Sequence, residues 1–106
     1  MGTKTNKYIV HVDKDLEDIV PMFLDGKQKD ISKLKKAVEN LDYETIGAIG
    51  HKLKGAGGGY GFDSITEVGI KLELNAQYQD KKKIEKVIDD LQDYLNNLEI
   101  KYIEME

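Results

Sequence analysis

Residues 47–61, whose sequence is GAIGHKLKGAGGGYG, carry a histidine on the polar side of a predicted helix. A helix advances about 100° per residue, so its apolar residues gather on one side. Those residues are Ile46, Ile49, Leu53 and Ala56. His51 lies roughly 140° or more away from them, and Lys54 follows it by one turn. The sequence therefore predicts an exposed imidazole whose main side-chain neighbour is an ammonium group.

The same helix is predicted to contain several glycines, each of which costs about 1 kcal/mol relative to alanine inside a helix. Gly50 and Gly57 fall on the core side, where they fit close packing of two backbones. Gly47, Gly55 and Gly58 fall on the outward side, where they leave room for the surface of another protein. We therefore interpret the outward glycines as part of a partner-binding face.

Composition limits the possible functions. The chain has 106 residues, 40% of them hydrophobic, which is enough for one domain and leaves no room for an ATP-binding kinase domain. It has no cysteine, which fits a reducing cytoplasm, and no long apolar run that would anchor it in a membrane. The net charge of −4 provides no concentrated cationic face for nucleic acid. We expect a cytoplasmic protein that binds neither nucleic acid nor membrane.

The spacing of apolar residues predicts an all-α fold, an antiparallel up-down four-helix bundle with a short additional N-terminal helix. We expect residues 1–7 to be disordered and residues 8–106 to form a single domain, which begins with an extended segment at residues 8–12. A short helix over residues 13–20 and longer helices over 22–40 and 43–58 are predicted, with two more that begin near Asp63 and Asp80. Predicted N-caps are Asp13, Asp42, Asp63 and Asp80. Predicted inner positions include Phe23, Ile31, Leu34, Val38, Leu41, Ile65, Val68, Leu72, Ala76, Ile84, Val87, Leu91, Tyr94, Leu98 and Tyr102.

The motif around the histidine is similar to that of a known family. His51-x-Leu53-Lys54-Gly55, followed by Gly58 and by Tyr60-Gly61-Phe62, resembles the histidine-containing phosphotransfer (HPt) domains of bacterial multistep phosphorelays. The similarity extends to Asp13 through Leu24, to Leu41-Asp42-Tyr43 and to Leu72-Glu73, and it covers roughly residues 8–99.

This resemblance implies a bundle whose surface histidine accepts a phosphoryl group from the aspartyl phosphate of a receiver domain and passes it to another receiver. On this sequence, His51 would be the phosphorylated residue and Lys54 would support the phosphoryl oxygens. Gly55 and Gly58, with the outward Gly47, would let the receiver dock. The implied partners are response-regulator receiver domains and a hybrid histidine kinase, and we expect a monomer.

No cofactor is expected, and any Mg²⁺ should belong to the partner receiver, because no carboxylate cluster lies near His51 in the sequence. Histidine has an ordinary pKa of about 6.5, so near neutral pH the side chain attacks phosphorus without a separate base. The chain would thus be a phosphotransfer protein that carries a phosphohistidine, not an autonomous enzyme.

Other interpretations of the sequence have less support than a phosphotransfer protein. An adaptor bundle that binds a receiver or a histidine kinase without carrying phosphate remains the alternative. A metal or cofactor bundle would need inward Glu-x-x-His pairs, and neither histidine has a glutamate three residues before it. A histidine-kinase dimerisation helix usually has an acidic residue after the histidine and a proline soon after, where Lys52 and Gly55 stand here. His11, in the extended segment, is interpreted as structural or incidental.

Overall fold

The computed structural model describes residues 7–104, which form four α-helices and a two-stranded sheet. The helices are α1 (Val20–Glu39), α2 (Tyr43–Ala56), α3 (Asp63–Gln77) and α4 (Lys81–Asn96), and the strands are β1 (Tyr8–Asp13) and β2 (Leu98–Ile103). Each helix packs against the next, and α4 packs back against α1, which closes a four-helix bundle. The up-and-down orientation stays a prediction. Of the segment predicted to be disordered, all but Lys7 lies outside the described residues.

The bundle interior holds most of the predicted inner positions. Fully or almost fully buried residues include Ile31, Leu34, Val38, Ile46, Ile49, Leu53, Phe62, Ile65, Leu72, Ala76, Ile84, Val87, Leu91 and Tyr94. Leu41 was predicted in this set and is instead 56% exposed; it lies in the turn after α1, where its backbone is left-handed (φ 54°). Among residues 7–104, no helix is long and apolar enough to cross a membrane.

Aspartates cap two of the long helices, as predicted. Asp42 accepts a hydrogen bond from the Thr45 backbone N–H (3.2 Å) at the start of α2. Asp80 accepts one from the Lys83 N–H (3.2 Å) at the start of α4. Asp63 is not the cap predicted for α3, because it is the first helical residue itself. Its carboxylate lies in the first turn, where the helix dipole favours a negative charge.

The predicted short N-terminal helix is largely absent. Asp13 does cap a helical turn, accepting from the Asp15 N–H (2.9 Å), but that turn is a 3₁₀ helix of three residues, Lys14–Leu16. The next helix begins at Val20, with Pro21 in its first turn. Proline has no N–H to donate to the preceding turn, so it begins a helix more readily than it continues one.

Leu98 and Tyr102, predicted as inner positions of the last helix, lie beyond its end, because α4 stops at Asn96. Leu98–Ile103 form β2, which pairs in parallel with β1 from Tyr8↔Leu98 to Asp13↔Ile103. Six apolar side chains of the two strands share one face, which packs against the bundle core; they are Tyr8, Val10, Val12, Leu98, Ile100 and Tyr102. The four-residue step from Leu98 to Tyr102 fits a helix and a strand equally well. Pairing with β1 makes this segment a strand.

Candidate functional site

His51 projects from the third turn of α2 with 71% of its side chain exposed. The exposure predicted from its helical position is therefore present in the structure. The sequence predicted an ammonium group as the main side-chain neighbour of this ring, and the structure adds a carboxylate to it. The ring atom Nδ1 lies 3.1 Å from Oε2 of Glu73, a residue of α3. A carboxylate at that distance favours the tautomer in which Nδ1 carries the proton and donates it.

Glu73 also binds the lysine that was predicted to assist the histidine. Its second oxygen, Oε1, lies 2.9 Å from Nζ of Lys54. The hydrogen bond from Lys54, with a further contribution from His51, holds the pKa of the Glu73 carboxyl below its ordinary value. One carboxylate therefore connects the two residues, and it is ionised whenever the pH is near neutral.

The close approach of α2 and α3 brings Glu73 to His51. The two helices meet at Gly50 and Gly69, where a Cβ added to Gly69 would lie 2.6 Å from the Gly50 carbonyl oxygen. An added Cβ at Gly50 would lie 2.8 Å from the backbone nitrogen of Glu73. Both distances are shorter than van der Waals contact, so only glycine permits this spacing. The core-facing role predicted for Gly50 is thereby confirmed.

The outward glycines leave open space beside the histidine. A Cβ added at Gly55 or Gly58 would meet no atom within 4 Å, and one at Gly47 would make an ordinary 3.6 Å contact with Ala76. Gly57 differs, since its added Cβ would lie 2.6 Å from the carbonyl oxygen of Phe62. The structure thus separates outward from packed glycines as the helical positions predicted.

Exposed apolar side chains flank the site on α3. Ile70 is 48% exposed and Leu74 is 49% exposed. Ile70 lies three residues before Glu73 and four before Leu74, so it neighbours each of them on the helix surface. The helix that supplies Glu73 thus also carries exposed apolar side chains.

The aromatic residues of the motif pack inside the fold. Phe62 is fully buried, and its ring centroid lies 5.6 Å from that of Phe23. The Tyr60 ring lies 4.4 Å from the same Phe23 ring. Gly61, between the two, adopts a left-handed conformation (φ 86°) that few other residues tolerate. This turn therefore fixes the end of α2 and the start of α3.

Glu73 is the site residue that sequence reasoning missed. The pair Leu72-Glu73 was noted only as part of a family resemblance, without a role. His11 lies on β1 with an exposed side chain, apart from this cluster. Among residues 7–104, no group of three or more His, Cys, Asp or Glu side chains is placed to hold a metal ion.

A family model described as "Hpt domain" matches residues 18–100. Comparisons with curated proteins and with solved structures found no match. The matched range contains the whole helical bundle, including His51, Lys54 and Glu73. The chain belongs to the Hpt domain family, whose role is phosphotransfer in two-component signalling.

Proposed function

We propose that this domain is a phosphorelay carrier in which His51 accepts a phosphoryl group from the aspartyl phosphate of a receiver domain and passes it to another receiver. The observation that supports this most directly is the pairing of Nδ1 with Glu73 on a ring that is 71% exposed. Because Nδ1 is occupied, the second nitrogen, Nε2, is the one available to an incoming phosphorus atom.

In the proposed step, the Nε2 lone pair forms a bond to phosphorus while the bond from phosphorus to the aspartyl oxygen breaks. The electron pair of the broken bond returns to the partner's carboxylate. The Nδ1 proton stays on the ring, which gains positive charge as the new bond forms. Glu73, 3.1 Å from Nδ1, is a negative group placed to stabilise that charge. Transfer to the next receiver reverses the same step.

Lys54 supplies the opposite charge. Phosphoryl transfer has a loose transition state with negative charge on the phosphoryl oxygens, so alignment and charge stabilisation account for most of the catalysis. Lys54 is three residues after His51 and has a flexible stem, which lets its ammonium group follow those oxygens. Its contact with Glu73 holds the ammonium group beside the ring before the partner arrives.

The receiver is proposed to dock over the glycines Gly47, Gly55 and Gly58 and against the apolar pair Ile70 and Leu74. The glycines allow a close approach to His51, and the exposed apolar side chains provide area that a partner buries. The receiver would contribute its own Mg²⁺, and a hybrid histidine kinase is the proposed source of the phosphoryl group. The proposal includes a cytoplasmic location.

The test is to incubate the domain with a panel of ³²P-phosphorylated receivers and to measure acid-labile, base-stable label on it. We expect labelling of the wild type by at least one receiver, none of His51→Gln, and none from ATP alone. Label on His51→Gln would contradict the site. Wild-type binding to a phosphorylated receiver without uptake of label would support the adaptor alternative instead.

A further inference from the structure

Strand β2 has an outer edge to which no backbone group of residues 7–104 is paired. The Tyr8 N–H donates to the Asn97 carbonyl (3.0 Å), and Tyr8 stands opposite Leu98 in the parallel register. Backbone groups of alternate residues point to opposite sides of a strand, so those of Leu98, Ile100 and Tyr102 point away from β1. Within residues 7–104, no backbone hydrogen bond connects this edge to another segment.

The inner face of β2 is also incompletely covered. Its three apolar side chains, at Leu98, Ile100 and Tyr102, are half-buried, whereas Val12 on β1 is 1% exposed. Parallel strands usually lie inside larger sheets that are covered on both faces, and a two-stranded sheet is marginally stable alone. An unpaired, partly apolar edge of this kind is a template for a further strand.

The sequence of β2 is complementary to itself in one antiparallel register. If two copies pair about a two-fold axis at Ile100, then Glu99 stands opposite Lys101 of the second copy, and Lys101 stands opposite its Glu99. Leu98 stands opposite Tyr102 on the inner face. The outward groups of Leu98, Ile100 and Tyr102 then form the hydrogen-bonded pairs. Glu99 and Lys101 form non-hydrogen-bonded pairs, in which the Cα atoms of opposite residues are only about 4.5 Å apart.

Neighbouring registers place like charges together. An axis at Glu99 sets the two Glu99 side chains opposite each other, and an axis at Lys101 does the same with the lysines. In the single chain, Glu99 lies 3.5 Å from Lys7 and 3.9 Å from Lys101, and all three side chains are at least 41% exposed. Exposed pairs of this kind are weak, so exchanging them for pairs across a dimer costs little.

We propose that the β2 edge is a homodimer interface, in which two copies form one four-stranded sheet of order β1-β2-β2-β1. The proposal does not depend on the phosphocarrier function, and it replaces the monomer expected from the sequence. Paired strands of this length bury less than the roughly 1,200–2,000 Å² of a standard stable interface. The dimer should therefore be weak and should form with increasing concentration.

Sedimentation velocity across a concentration series tests the interface. We expect reversible dimerisation of the wild type, and at least a roughly tenfold lower association constant for Lys101→Glu, because two like-charged pairs then face each other. Glu99→Lys should have the same effect, and the double variant Glu99→Lys/Lys101→Glu should restore the wild-type constant. A protein that is monomeric up to about 1 mM, or a dimer that is insensitive to these reversals, would overturn the proposal.

A cysteine tests the register independently, because the native chain contains none. Under mild oxidation, Ile100→Cys should give disulfide-linked dimers, since residues on the axis have Cα atoms about 5.5 Å apart. Ile103→Cys is the matched control, because its two copies would be about 20 Å apart along the strands. Circular dichroism checks that each variant folds. Equal cross-linking of the two variants, or none for Ile100→Cys, would refute this register.

Discussion

Glu73 contacts both residues that the proposed chemistry uses, at 3.1 Å from His51 and 2.9 Å from Lys54. In Glu73→Gln, the amide oxygen still accepts the Nδ1 proton but carries no negative charge to stabilise the ring as it becomes cationic. We expect transfer to slow by roughly tenfold without being lost, since a charge-assisted hydrogen bond becomes a neutral one. Rapid-quench measurement of labelling from a phosphorylated receiver checks this.

Glu67→Gln is the matched control for that measurement. Glu67 lies on the same helix with an exposed side chain, and it makes no contact with His51 or Lys54 among the described residues. The substitution Glu67→Gln removes the same charge from α3 as Glu73→Gln does, so a general electrostatic effect on receiver binding would appear in both variants. Equal slowing in the two would contradict a specific role for Glu73.

The lowered pKa of Glu73 predicts how its stabilising effect depends on pH. The folded-state pKa lies below the ordinary value of 4.5, so the folded protein holds this proton less tightly than the unfolded chain does. The stabilisation is therefore complete above about pH 4.5 and is lost as the pH falls through the folded-state value. Melting temperatures of the wild type and Glu73→Gln should differ at pH 7 and converge as the pH is lowered below the ordinary value of 4.5. A difference in melting temperature that grows as the pH falls would mean that folding raises the pKa of Glu73, which would contradict this prediction.

The sequence predicted part of this site for a local reason. His51 and Lys54 lie on one helix, and helical geometry alone sets their exposure and their spacing. Glu73 lies 22 residues from His51, on another helix. Its position depends on how closely α2 and α3 approach and how they are rotated, which a helical period does not specify. Long-range contacts of this kind require the tertiary structure.

At the scale of elements, Gly69 controls the approach of α3 to α2. A Cβ there would lie 2.6 Å from the Gly50 carbonyl oxygen and 2.8 Å from Cα of Lys54, both of them backbone atoms that cannot move without shifting a helix. We expect Gly69→Ala to destabilise the fold by about 3 kcal/mol. Urea denaturation measures this change. A cost below about 0.5 kcal/mol would show that the helices are not in contact at this point.

Gly55 provides the opposite case on α2, because an added Cβ there meets nothing within 4 Å. Gly55→Ala should stabilise the domain by about 1 kcal/mol through the higher helix propensity of alanine. The same methyl group would project into the proposed docking face, so transfer from a receiver should become slower. A variant that is both more stable and equally fast would remove Gly55 from the docking surface.

Strand β2 shows why one element was predicted wrongly. The spacing from Leu91 through Tyr94, Leu98 and Tyr102 fits a continuous helix, while Leu98, Ile100 and Tyr102 alternate equally well as a strand. The interaction that makes this segment a strand is its pairing with β1, which is distant in sequence. Tyr8 pairs with Leu98, 90 residues later. The helices could be predicted from local periodicity and capping, whereas the strand could not.

At the scale of the whole molecule, a buried ionic cluster joins α1 to the helix that carries His51. Asp30 has a side chain that is 4% exposed, and its oxygens lie 3.2 Å from Nζ of Lys27 and 2.9 Å from Nζ of Lys52. Lys27 is itself 8% exposed, and its ammonium group lies 5.0 Å from the centre of the Phe23 ring. A charge in such a place is tolerated because it is paired.

Asp30→Ala leaves the Lys27 ammonium group buried without its counter-ion, so we expect a loss of about 3–5 kcal/mol in the free energy of unfolding. That is a large share of the roughly 5–15 kcal/mol that stabilises a typical domain. The double variant Lys27→Met/Asp30→Leu removes both charges and should recover most of the loss, because apolar residues of similar volume often replace a buried pair without cost. Urea denaturation of the two variants at pH 7 separates these outcomes. If the double variant were as unstable as Asp30→Ala, the loss would come from the missing contact between α1 and Lys52, and not from an unpaired charge.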